Sequence, residues 1–120
     1  SGQIPRVGNT VVVTGAAGGD VDLGQAQTAA KICAMRALAL LQRSLGTLDS
    51  VKAILRITVF VRSAADFTQQ SEVADGASEV LFRVLGEAGA HTRTSVGVLQ
   101  LPKGATVELD LIASTAPSDA

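Results

Sequence analysis

The chain has 120 residues, a formal net charge of −1, 47% hydrophobic residues and 18% charged ones. That balance excludes a disordered chain, and a domain of this length buries roughly two-thirds of its unfolded surface, enough for one core without disulfides or metals. Tyr and Trp are absent and no Lys or Arg run exceeds one residue, so nucleic acid would find neither a basic stripe nor stacking rings.

Val11-Val12-Val13 is β-branched and lies between Asn9 and Gly15, which predicts a short strand. Gly15 to Gly19 reads as a connecting loop. It lacks both the GxGxxG spacing and the GKS/T ending of a phosphate cradle. Asp22 with Gln25 three positions on forms a capping box and starts a helix. That helix runs from Leu23 to Leu45, with Ala26, Ala29, Ala30, Cys33, Ala37, Leu40 and Leu41 along one apolar stripe. Gly46 stops it. Its alanines predict close packing against a sheet, and Cys33 on the stripe reads as a small core residue.

Ile54 to Val61 is a dense β-branched run and predicts a central strand. Phe67 to Leu85 predicts the second helix, with Val73, Ala77, Val80, Leu81, Val84 and Leu85 on its stripe. Gly76 inside it costs roughly 1 kcal/mol relative to Ala and points to close packing or a bend. Thr92 to Leu99 reads as a strand, Leu101 to Gly104 as a turn, and Thr106 to Ala113 as a last strand. The order strand, helix, strand, helix, strand, strand predicts one α+β domain over residues 1–113, with a flexible tail at 114–120.

The apolar surplus favours association into an oligomer. A single cysteine cannot form an internal disulfide, which fits a reducing, cytoplasmic setting. No basic segment leads an apolar stretch, so no signal peptide is expected, and no apolar run approaches the roughly 18 residues of a membrane span.

His91 is the lone histidine. A two-histidine ribonuclease site or a His-rich metal site is therefore unavailable within one chain, no cysteine pair exists for zinc, and no metal is expected. Arg93 and Glu108 remain. If their strands form a hairpin around Pro102, residues near the two positions share a face. They then form either a solvated cross-strand ion pair, worth roughly 0.2–1 kcal/mol, or an anion clamp. In the clamp, the planar guanidinium grips a carboxylate and the nearby Glu108 polarises a water.

These residues resemble a known family. Ser1-Gly2-Gln3-Ile4-Pro5 matches the SGQIP signature of the RidA/YjgF (reactive intermediate deaminase) proteins. Arg93-Thr94-Ser95-Val96-Gly97-Val98-Leu99-Gln100-Leu101-Pro102, running on to Val107-Glu108-Leu109-Asp110, resembles the family's closing signature. Asp49-Ser50-Val51-Lys52 with Thr58-Val59-Phe60-Val61 is similar to its central segment. Gly76-Ala77-Ser78 and the segment Gly86 to His91 look like a divergent chorismate-mutase-like subgroup that carries an endoribonuclease label.

The resemblance implies a chorismate-mutase-like α+β fold, a mixed sheet packed on two helices. It implies a homotrimer with a barrel-like core and sites in the clefts between subunits. It further implies hydrolytic deamination of 2-imino or 2-enamino acids to 2-oxo acids and ammonia without a cofactor. By position, Arg93 would bind the substrate carboxylate and Glu108 would place the attacking water. Ser1, Gly2 and Ser95 would line the pocket. The family's archetypes have Cys where this chain has Ser95, which removes any route through oxidation of that thiol. They also carry a strand ahead of SGQIP. Competing readings are a non-catalytic trimer that binds a carboxylate metabolite, and an endoribonuclease, against which the composition speaks.

Overall fold

The computed structural model describes residues 2–116. After a two-residue hairpin, β1 (Arg6–Val7) and β2 (Thr10–Val11), come helix α1 (Leu23–Leu45), strand β3 (Val51–Arg62), helix α2 (Gln70–Leu85), and strands β4 (Thr92–Val98) and β5 (Val107–Thr115). The main sheet has the order β4-β3-β5, with β4 parallel and β5 antiparallel to β3. Gln3 extends it beyond β5. Its N–H donates to the Leu109 carbonyl at 2.7 Å, and the Leu109 N–H returns a bond at 2.9 Å.

One sheet face is the core. Ile57, Val59 and Val61 alternate along β3, Val107 and Leu109 along β5, and all five are fully buried. Both helices pack on this face, α1 through Ala26, Ala29, Ala30, Cys33, Ala34, Ala37 and Leu38, α2 through Val73, Ala74, Ala77 and Leu81. The capping box forms as expected. Asp22 Oδ1 accepts from the Gln25 N–H at 2.8 Å, and Gln25 Oε1 accepts from the Asp22 N–H at 2.9 Å. Gly46 closes α1 in the left-handed region, φ 83°. The other sheet face, with Thr58, Phe60, Thr94, Val96, Glu108 and Asp110, is left exposed or half-exposed. No helix among the described residues is long and apolar enough to cross a membrane.

Several expectations need correction. β4 and β5 do not form a hairpin, because β3 lies between them. The chain after the Pro102 turn is drawn past the end of β3 by partners remote in sequence. The Thr106 N–H donates to the Val13 carbonyl, Thr106 Oγ1 to the Gly15 carbonyl, and the Arg62 N–H to the Thr106 carbonyl. The first strand is displaced to the Arg6–Val11 hairpin, since Val12 and Val13 bond to Pro5 and Thr106 rather than extending a ladder. The central strand begins at Val51, where its antiparallel partner Thr115 reaches it across a register shift. Ser114 and Thr115 accordingly belong to β5 and not to a tail; residues 117–120 lie outside the described residues.

The second helix starts at Gln70. Its first turn is preceded by a bend in which the Phe67 N–H bonds the Ala64 carbonyl and Gln70 Nε2 donates to the Phe67 carbonyl. Leu40 and Val84 fall on exposed flanks of their helices, because they sit a step outside the arc that faces the sheet.

At Gly76 the two helices approach closely. A Cβ there would collide with the Gln27 carbonyl of α1. In an open helix Gly→Ala gains about 1 kcal/mol; against backbone that cannot yield, overpacking costs about 1–3 kcal/mol. Gly76→Ala is therefore expected to lower the urea midpoint of unfolding, and a raised midpoint would mean that the helices can separate freely.

Burial, and secondarily the Glu108 carboxylate, push the Cys33 thiol from 9.0 up to about 12, against an opposing pull from Arg36. The folded state then holds the thiol proton more tightly than the unfolded state. That contribution to stability is complete below about pH 9 and is lost as the pH rises toward 12. Equilibrium unfolding across this window should show the wild type losing stability with pH more steeply than Cys33→Ala, and equal slopes would refute the assignment.

Candidate functional site

Arg93 and Ser95 lie on β4 opposite Ile57 and Val59 of β3. Cross-strand partners share a sheet face, so both side chains point to the helix side. At this edge of the sheet Arg93 meets α2. Its Nη1 donates to Ser78 Oγ at 2.9 Å, and its Nη2 donates to Ser71 Oγ at 3.0 Å and to the Ser71 carbonyl at 3.1 Å. Nη2 also lies 2.8 Å from Asp75 Oδ1 in an ion pair. Ser71, Asp75 and Ser78 are spaced i, i+4, i+7, one face of a helix, and that face is the polar rim beside the buried Val73–Ala77–Leu81 stripe.

His91 completes the cluster. Its Nδ1 is 2.7 Å from the Gly89 carbonyl, and its Nε2 is 2.8 Å from Ser78 Oγ. A carbonyl only accepts, so Nδ1 carries the hydrogen in the neutral ring and Nε2 takes the Ser78 hydroxyl hydrogen. The Ser78 lone pairs are thereby turned toward Arg93. The residues that seat Arg93 are not evident as a group from the sequence reading above. The signal that would have found them is the polar i, i+4, i+7 triplet alongside the apolar stripe, together with a histidine two residues before the arginine.

Glu108 is opposite Phe60 on β5. Ile57 and Phe60 are three apart on one strand, hence on opposite faces, so Glu108 and Arg93 lie on opposite faces of the sheet with β3 between them. One subunit does not bring them together, and the cross-strand pair expected from a hairpin does not form. Gly2 does meet Glu108. A Cβ on Gly2 would run into the Glu108 carboxylate, so the absence of a side chain lets the carboxylate lie against the backbone of the edge segment. Ser1 lies outside the described residues.

Two hollows of about 300 Å³ each lie elsewhere. One is lined by Val13, Thr14, Asp20, Val21, Gln25 and Thr28 among others, the second by Ala37, Leu40, Leu41, Ser44 and Leu111. Neither contains Arg93 or Glu108. Their polar groups do not converge: Asp20 and Gln25 are committed to the Ala16 and Asp22 backbone N–H groups. Among the described residues no three His, Cys, Asp or Glu side chains group as a metal site would require.

Residues 2–115 match the sequence profile of the family described as Endoribonuclease L-PSP. A curated relative, Protein TCP17 of Trypanosoma cruzi, is 43% identical over 113 residues, which is 93% of this chain and 71% of that protein. The solved structure of Atu1372, a protein of unknown function from Agrobacterium tumefaciens, is 40% identical, with a TM-score of 0.95 over 97% of this chain and 74% of that one. A Shewanella oneidensis structure bearing an endoribonuclease label is 26% identical, with a TM-score of 0.91 over 94% and 75%. Escherichia coli TdcF, solved with bound serine, is 26% identical, with a TM-score of 0.62 over 97% and 78%.

Proposed function

Since this chain belongs to the Endoribonuclease L-PSP family, the family of YjgF and RidA, we propose that it hydrolyses 2-imino acids to 2-oxo acids and ammonia. The single observation that carries this reading is the disposition of its two charged groups. Arg93 stands on one edge strand, and Glu108, backed by Gly2, stands beside the other edge. In a closed ring that sets the β4 edge of one subunit against the Gly2–Glu108 edge of the next, Arg93 reaches the seam from the helix side and Glu108 from the half-exposed side, with the substrate lying between them at the seam. The half-exposed sheet face with Phe60 and Val96 supplies apolar surface for the middle of such a ring. A homotrimer, with one site in each cleft, fits this arrangement.

In that cleft Arg93 holds the substrate carboxylate by charge-assisted hydrogen bonds. The imine carbon then sits beside a water held by Glu108. The water oxygen bonds to that carbon, one water proton passes to Glu108, and the C=N electron pair moves to nitrogen, which takes up a proton. The hydroxyl proton of the resulting carbinolamine then passes by way of Glu108 to the amino nitrogen, the C–N bond breaks to release ammonia, and the C=O bond forms. Positioning supplies much of the acceleration, since the reaction needs only water brought to an electrophilic carbon. Ser95, beside Arg93 on the same face, lines the pocket. Gly2, against Glu108, belongs to its opposite wall. No cofactor enters these steps.

A second reading keeps the same arginine and omits turnover: a trimer that binds a carboxylate metabolite. TdcF was solved holding serine, an intact amino acid, and that favours carboxylate capture as the more general property. Cleavage of RNA has no second histidine and no basic stripe to draw on.

Ammonia release from imino acids generated in situ by an amino-acid oxidase separates these readings. The wild type should accelerate release. Arg93→Ala should lower kcat/KM by about 10–100-fold, the worth of a charge-assisted hydrogen bond. Glu108→Gln should lower kcat by about 100-fold or more, the usual scale of general-base catalysis. No acceleration by the wild type across several side chains would leave the binding trimer. A solution mass of one chain at micromolar concentration would remove the shared cleft.

A further inference from the structure

Arg93 is only 23% exposed and already has a carboxylate on it. Asp75, 61% exposed, provides that carboxylate at 2.8 Å. The contact is one oxygen on one nitrogen, from a largely solvated aspartate on a helix surface. Pairs of this kind are weak and easily exchanged. The hydrogen bonds around it are of a different quality. Ser78 is locked by the chain of bonds from Gly89 through His91, so its oxygen stays turned to Arg93 whether or not Asp75 is present. Ser71 accepts from Arg93 through both its hydroxyl and its carbonyl oxygen. Its own hydroxyl hydrogen is not used by Arg93, which has no acceptor to offer it.

We infer that Arg93 and Ser71 form a carboxylate seat on the β4–α2 edge, which Asp75 fills in the ligand-free subunit and which a ligand carboxylate takes by exchange. This rests on the reading of Arg93 as the residue that binds substrate carboxylate, and it adds two residues to that site. Ser71 donates its hydroxyl hydrogen to the incoming carboxylate. Asp75 sets a threshold: an anion that offers Arg93 one weak contact does not displace it, whereas a carboxylate that accepts from both Arg93 and Ser71 does. Ser78 and His91 are positioning residues. They hold the guanidinium still while its anion changes.

The two new assignments carry opposite signs, which general damage to the fold cannot imitate. With pyruvate as the probe in titration calorimetry on the full chain, Asp75→Asn removes the competitor and should tighten binding by about two- to fivefold, the range of an exposed ion pair. Ser71→Ala removes a donor and should weaken binding by about tenfold. A second measurement needs no turnover. Phenylglyoxal modification of Arg93, followed by peptide mass mapping against Arg83, should run several-fold faster in Asp75→Asn and be slowed by pyruvate. Arg83 is 79% exposed and serves as the reference. Equal or weaker pyruvate binding in Asp75→Asn, an unchanged rate at Arg93, or no protection by pyruvate would each overturn the inference. The two ideas fail separately. A protein that exchanges pyruvate at Arg93 without hydrolysing imines retains the seat and loses the deaminase, and one that hydrolyses imines with Asp75→Asn unchanged does the reverse.

Discussion

The position of β3 between β4 and β5 is the constraint from which the rest follows. Its backbone is paired along both sides, parallel to β4 and antiparallel to β5, so it cannot leave the middle of the sheet without abandoning two ladders. Ile57, Val59 and Val61 face the helices and are fully buried. A slip of one residue would turn all three to the open face. That register fixes which way every neighbour points. Arg93, opposite Ile57, must face α2, and Glu108, opposite Phe60, must face away from it. The separation of the two charged groups is thus a consequence of hydrophobic burial in a strand that carries neither of them.

The helices are held to that face by small residues. Alanine dominates the buried side of α1, and Gly76 lets α2 approach the Gln27 backbone. Small side chains bring helix axes close, and a close α2 is what places Ser71, Asp75 and Ser78 within hydrogen-bonding reach of the β4 edge. Had the stripe been built of leucine, the same fold would stand further apart and Arg93 would project into solvent. Packing in the core and the geometry of the polar edge are therefore two aspects of one choice of side-chain volume.

Local signals in the sequence are legible where local forces decide. The Asp22–Gln25 box, the Gly46 stop and the apolar run of β3 are all present, because capping and periodicity involve partners a few residues apart. The placement of β3 between β4 and β5 is not legible in the same way. A short turn with Pro102 and Gly104 looks like a hairpin, and what diverts the chain is a set of bonds to Val13, Gly15 and Arg62, tens of residues away. The candidate site divides along the same line. Arg93 and Glu108 stood out as charges within apolar strands. Their opposite facing, and the α2 residues around Arg93, depend on the sheet order and on a helix-to-strand contact that no local pattern encodes. The contact of Gly2 with Glu108 likewise requires knowing that Gln3 pairs with Leu109.

On the proposed reading, in which Arg93 binds an anion, the ligand-free state poses a problem. Partly buried, it has lost some of its hydration and cannot remain without acceptors at low cost. Neutral oxygens alone, from Ser71 and Ser78, satisfy its hydrogen bonds but leave its charge. A buried carboxylate would neutralise the charge, and by the same strength would exclude any ligand. An exposed aspartate lies between these limits: it compensates the charge in a medium that screens the attraction, so its removal costs little. In Asp75 the polar edge carries a partner strong enough to keep the guanidinium in place and weak enough to give way. The neutral oxygens that remain are those that hold Arg93 during the exchange.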